Sequence, residues 1–156
     1  MKKKFYLSVF LCLLSMAMPA VAQMNGWFTG KRVLDRVEVE EIIPGSSESS
    51  IKTYFVDDAD LPVGAFINTV ILEMNFESDG GGNIFLFGNS VENPDIIQLT
   101  DDSFTFAAQG QPVLQGANEY TYSVETETDE LILTPQTLIY WEEKYYRVKY
   151  FSLKRK

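Results

Sequence analysis

Phe66-Ile67-Asn68-Thr69-Val70-Ile71-Leu72-Glu73-Met74-Asn75-Phe76-Glu77 is the stretch that decides the fold. Apart from Asn68 its even positions are apolar (Phe66, Val70, Leu72, Met74, Phe76), while the odd positions end in Glu73, Asn75 and Glu77. A period of two describes a strand with one buried and one wet face. A helix would scatter the same residues around its axis, and the β-branched and aromatic enrichment also favours a strand.

The same alternation recurs on both sides of this stretch, in Val37-Glu38-Val39-Glu40, Ser103-Phe104-Thr105-Phe106, Tyr120 to Glu125 and Tyr146 to Tyr150. Turn-forming residues separate the runs. Asp79-Gly80-Gly81-Gly82-Asn83, Thr100-Asp101-Asp102 and Glu142-Glu143-Lys144 read as tight connections between neighbouring strands. Longer polar connections are expected at 44–50, 57–62 and 109–118. The pattern predicts about nine strands, with no clean amphipathic helix and no internal repeat. The fold class is therefore all-β, an antiparallel meander of about eight to nine strands closing into a barrel, with a two-sheet β-sandwich as the alternative.

Residues 1–22 read as a signal peptide. Lys2, Lys3 and Lys4 precede an apolar run from Phe5 to Met18 that is too short for a stable membrane anchor, and Ala20-Val21-Ala22 supplies small residues for cleavage. The expectation is export to the periplasm or beyond, cleavage after Ala22, and a single domain over 23–156 with no membrane span. Of the 13 basic residues three lie in the leader, leaving 10 against 22 acids, a net charge of −12. Such a chain repels phosphate backbones and anionic headgroups, which argues against nucleic acid as a partner. The single cysteine, Cys12, lies in the leader, so the mature chain has no disulfide to draw on.

The chemical inventory is short. There is no histidine, and with no cysteine after the leader, Ser-His-Asp and Cys-His mechanisms are ruled out. Asp57-Asp58-Ala59-Asp60 and Asp101-Asp102 supply carboxylates for glycoside chemistry or for calcium, but acids beside turns are ordinarily solvated loop residues. Their spacing matches no EF-hand, and zinc and copper lack their usual ligands. Asp79-Gly80-Gly81-Gly82 reads as a turn and not as a phosphate loop. No catalytic residue, metal or cofactor is expected.

Asn25-Gly26-Trp27 at the entrance to the first strand, the run Tyr120-Thr121-Tyr122-Ser123-Val124, then Asp129-Glu130-Leu131-Ile132-Leu133, then Tyr145 to Lys156, together resemble the lipocalin-like domains of exported bacterial proteins. The resemblance implies that Trp27 plugs one end of the barrel beneath a basic side chain from near the C-terminus, Arg147 or Arg155. It also implies a cavity for a small apolar molecule or a surface reused for protein contacts. The expected function is thus non-catalytic binding of a small, partly apolar ligand by the inward residues Phe66, Val70, Leu72, Met74, Tyr120, Tyr122 and Tyr146. A protein-interaction module with a filled core, an inhibitor or accessory subunit, is the alternative, and a carboxylate-dependent hydrolase comes last.

Two further features bear on binding. Tyr140-Trp141 and Tyr145-Tyr146 bracket one hairpin, where aromatic rings with polar tips suit a sugar or an apolar ligand, although Tyr140 and Trp141 must face opposite sides of a strand. Between Lys52 and Lys144 there are 17 acids and no lysine or arginine. If the first and last strands are neighbours, the basic residues at both ends of the chain gather into one seam. That seam is either neutralised by Glu38 and Glu40 or open to an anionic partner.

Overall fold

The first strand, β1 (Gly30–Ile42), pairs antiparallel with the last, β11 (Lys144–Arg155), from Arg32 opposite Arg155 to Ile42 opposite Tyr145. This ribbon is the spine of the protein in the computed structural model, which describes residues 25–110 and 118–156. The expected signal peptide, with Cys12, and most of the 109–118 connection lie outside the described residues. The intervening elements are β2 (Ser49–Phe55), a short helical turn α1 (Val63–Phe66), β3 (Ile71–Phe76), β4 (Gly82–Leu86), β5 (Asn89–Glu92), β6 (Asp95–Leu99), β7 (Ser103–Ala107), β8 (Glu119–Glu125), β9 (Glu130–Pro135) and β10 (Leu138–Trp141). No helix among the described residues is long and apolar enough to cross a membrane.

All the strands belong to one antiparallel sheet, ordered β5-β4-β3-β1-β11-β9-β8-β7-β6. It curls strongly into a half-barrel, so the chain is all-β and barrel-like, formed by a single sheet and not by two stacked ones. The path ends at β5 and β6 are not hydrogen-bonded to each other among the described residues, and only the Asn93-Pro94 connection links them.

The outer edges of the spine are each shared by two strands. β3 covers residues 30–33 of β1 and β2 covers 36–42, whereas β9 covers 151–154 of β11 and β10 covers 144–147. The sheet thus has two regions, the half-barrel and an extension ordered β2-β1-β11-β10. Irregularities between Leu34 and Arg36 and between Glu38 and Val39 mark where they join. Extra residues there bend and twist the ribbon. On β1 the buried parity moves from Arg32 and Leu34 to Val37, Val39 and Glu41, and on β11 from Tyr146 and Val148 to Phe151 and Leu153.

Aromatic rings fill the half-barrel. Phe104 lies 4.8 Å from Phe28 and 5.6 Å from Phe106, and Tyr120 stacks on Phe106 at 6.1 Å while meeting Phe151 edge-on at 5.8 Å. The residues expected to line a cavity, Phe66, Val70, Met74 and Tyr120, are buried in this packing, with Leu72 and Tyr122 half-buried against it. The decisive stretch is also shorter as a strand than its alternation suggests. Phe66 closes α1, Asn68 turns the chain at φ 58°, and β3 begins only at Ile71. An irregularity between Ile71 and Glu73 then leaves Ile71 buried and Leu72 half-buried.

One end of the half-barrel is stoppered by the turn at 25–29. Phe28 is fully buried, 4.9 Å edge-on from Tyr122. Trp27 is half-buried, and the cation over its ring is Arg32 at 5.4 Å. Arg147, the partner implied by the resemblance, instead pairs with Glu40 at 2.8 Å, because the antiparallel register carries it to the opposite end of the spine. Arg155 does reach the turn, donating to the carbonyls of Gly26 and Thr29.

Candidate functional site

Cross-strand register assembles the site on the inner face of the extension. Val37 lies opposite Tyr54, Val39 opposite Lys52, and Glu41 opposite Tyr146, while on β10 Ile139 faces Tyr146 and Trp141 faces Lys144. Side chains two apart share a face, so Lys52, Tyr54, Glu41, Lys144, Tyr146 and Trp141 converge. They form the floor of a groove of about 410 Å³ whose wall is Ala59-Asp60-Leu61-Pro62, with Glu142 at the rim. α1 fixes that wall. A Cβ on Gly64 would fall 2.6 Å from the Trp141 indole, so only glycine lets the turn settle against the ring.

Glu41 is the centre of the groove. It is 7% exposed. The Tyr54 hydroxyl donates to its Oε1 at 2.8 Å, Lys52 Nζ lies 3.4 Å from the same oxygen, and Lys144 Nζ lies 3.8 Å from Oε2. Burial alone would raise the carboxyl's pKa, but the Tyr54 hydroxyl and the Lys52 and Lys144 charges outweigh it and hold the group below its ordinary value. Glu41 is therefore a fixed anion at neutral pH. Burial and then the facing carboxylate push the Tyr54 phenol well above its usual range. Tyr146 is raised as well, by burial first and then by Glu41 and Glu142.

Of the residues expected to bind a ligand, only Tyr146 lies here; the other six belong to the half-barrel core or its margin. Trp141 lines the groove, while Tyr140 projects from the opposite face, 4.9 Å from Tyr145, as strand alternation requires. Glu41, Lys52, Tyr54 and Lys144 were not among the expected residues. The available sign was Glu41 itself, a carboxylate on the parity of Val37 and Val39 in a strand that otherwise buries apolar side chains there.

The remaining candidates resolve into local structure. Asp58 accepts from the Phe55 amide at 2.7 Å, and Asp102 accepts from the Thr100 and Ser103 hydroxyls at 3.0 Å. No group of three potential metal-ligating His, Cys, Asp or Glu residues converges among the described residues. The basic seam exists, since β1 and β11 are adjacent, and its charges are mostly paired. Arg36 grips Glu130 with two hydrogen bonds at 2.8 and 3.1 Å, Lys154 joins Asp35 and Glu130, and Lys31 meets Glu73. Lys149 and Lys156 alone lack an ion pair among the described residues. A second groove of about 320 Å³, between residues 134–138 and 147–149, has no aromatic lining and no buried charge.

No family model matches this chain, and neither a curated protein nor a solved structure matches it.

Proposed function

We propose that this protein is an exported, non-catalytic binding protein whose ligand sits in the groove over Glu41 and Trp141. The observation that carries the reading is the convergence of six aromatic and charged side chains from four strands onto one concave face. The aromatic filling of the half-barrel favours this groove over the interior as the place for a ligand. Export is supported by residues 1–22, and the lipocalin-like relationship by the barrel-like sheet with an aromatic turn and an arginine at one end. Binding without catalysis is supported by the lack of any histidine in the chain.

Native mass spectrometry of protein recovered from its exporting host tests the proposal. A co-purifying small molecule that is retained by the unaltered protein and lost from a folded Trp141→Ala variant is the expected result. A bare protein, or a molecule held equally by the variant, overturns it.

The opposite face of the extension favours a second reading, an interaction module, because Ile51, Leu138 and Tyr140 are each at least half exposed there. Tyr140→Lys would then abolish capture of a protein partner and leave the groove intact.

A further inference from the structure

We infer that the groove's ligand is a saccharide, an inference that rests on the groove being the binding site. Three physical features select this class over an apolar molecule or a simple ion.

The first is the polarity of the groove. It is an open groove, and five of its eleven lining residues carry charge. An apolar ligand draws its affinity from enclosure, which this shape does not provide. A pyranose ring has one face of C–H groups and a rim of hydroxyls, so it can rest an apolar face on the part of the Trp141 indole that α1 leaves uncovered while its rim stays wet.

The second is the mixture of charge. Lys52 and Lys144 stand among Glu41, Asp60 and Glu142. A simple anion would meet three carboxylates, and a simple cation two ammonium groups. Hydroxyls both donate and accept, so a polyol satisfies both sets, and bonds to charged groups are the stronger kind.

The third is unspent hydrogen-bonding capacity. Tyr146 is 4% exposed and lines the groove, yet its hydroxyl has no hydrogen-bond partner among the described residues and is not sealed from solvent. A buried phenol ordinarily finds a partner. Among the described residues the Trp141 indole N–H likewise has no hydrogen-bond partner, and the one polar contact of Glu41 Oε2 is Lys144 Nζ at 3.8 Å. A ring seated against Trp141 therefore meets a phenol, an indole N–H and two ammonium groups as donors, with carboxylates as acceptors.

The test is an amide-resolved NMR titration of the protein with cellobiose, maltose, chitobiose and galacturonic acid, extended by a glycan array. Anilinonaphthalene sulfonate and decanoate serve as apolar probes. Saccharide-induced shifts at residues 41, 52, 54, 141, 144 and 146 are expected, with affinity weakened at least about threefold by Tyr146→Phe and tenfold by Trp141→Ala. Tyr146→Phe removes one oxygen and keeps the ring, so its fold is maintained and its thermal midpoint serves as the control. An apolar probe that perturbs these residues and binds Tyr146→Phe equally well, while no saccharide binds, overturns the saccharide assignment and leaves the groove as the site. Failure of every compound to perturb the groove removes both.

Discussion

The Arg32 guanidinium, fully buried, donates to Asp129 Oδ1 at 2.9 Å although 97 positions separate the two residues. The same side chain donates to the carbonyls of Trp27 at 2.6 Å and Asp129 at 2.9 Å, while Arg155 holds the other carboxylate oxygen of Asp129. One buried cation thus ties the N-terminal turn to the β8–β9 turn and seats Phe28 in the end of the half-barrel. Arg32→Met keeps much of the volume but strands these carbonyls, and should cost about 2–4 kcal/mol. Urea unfolding measures it; a loss below about 0.5 kcal/mol would show that the network is incidental.

The stopper itself separates two adjacent rings. Phe28 is fully buried, whereas Trp27 lies half-exposed beneath Arg32. Phe28→Ala should therefore destabilise by about 3–5 kcal/mol, the usual range for emptying a buried aromatic site. Trp27→Ala should cost less, about 1–2 kcal/mol, from partial burial and one cation–π contact. The reverse order in paired unfolding curves would restore Trp27 as the plug.

The seam predicts different outcomes for two cations in one patch. Arg36 clamps Glu130, whose side chain is 4% exposed, so Arg36→Glu would set a new carboxylate against Glu130 and Asp35. The expected cost is about 2–4 kcal/mol, reduced by the partial exposure of Arg36 and by Lys154 nearby. Lys149 is exposed and unpaired among the described residues, and Lys149→Glu should change stability by no more than about 0.5 kcal/mol. Equal effects of the two reversals would contradict the pairing.

Stability should be flat across neutral pH and fall at both extremes. Asp129 is held below the ordinary carboxylate value by Arg32 and Arg155, and Glu41 by Tyr54, Lys52 and Lys144 against its burial. Each contribution is complete above the unfolded pKa of about 4 and is lost as pH falls through the lower folded value. Tyr54, Tyr120, Tyr122 and Tyr146 are raised chiefly by burial, so the unfolded chain ionises first above about pH 10 and stability declines there. With no histidine in the chain, denaturation midpoints between pH 6 and 8 should coincide. A step within that window would point to a titrating group outside the described residues.

Much of the fold was legible because it rests on local chemistry. The turns at 79–83, 100–102 and 142–144 connect paired neighbours, and a meander that curls round brings the first strand beside the last. Phe66 misled because a helical turn can deliver its ring to the same core as a strand, here 6.1 Å from Phe87, so the alternation continues across a break in the backbone. Arg32 could not be recognised as the cation over Trp27, since nothing local shows that a charged residue on β1 will be buried. The groove depends on bulges that reset parity along β1 and β11, and on residues 59–62, which come from outside the β10–β11 hairpin to form its wall. Its aromatic half, Trp141 and Tyr146, was readable in sequence, and its charged half became visible only through register.

Gly64 links the wall of the groove to its floor and provides the sharpest steric test. An added methyl group would meet the Trp141 indole at 2.6 Å, well inside van der Waals contact, and the ring also has Tyr146 as a neighbour, 6.2 Å between centroids. Gly64→Ala should push α1 away from β10 and cost about 1–3 kcal/mol, although alanine favours the helical turn itself. The groove should lose ligand at the same time, because Leu61 and Pro62 move with the turn. Shrinking the opposing ring relieves the clash, so Trp141→Leu combined with Gly64→Ala should be less destabilised than the sum of the two changes. A double-mutant cycle by urea denaturation reads the coupling directly. Strict additivity would mean that the turn and the indole do not press on each other, and that the groove's wall is not set by Gly64.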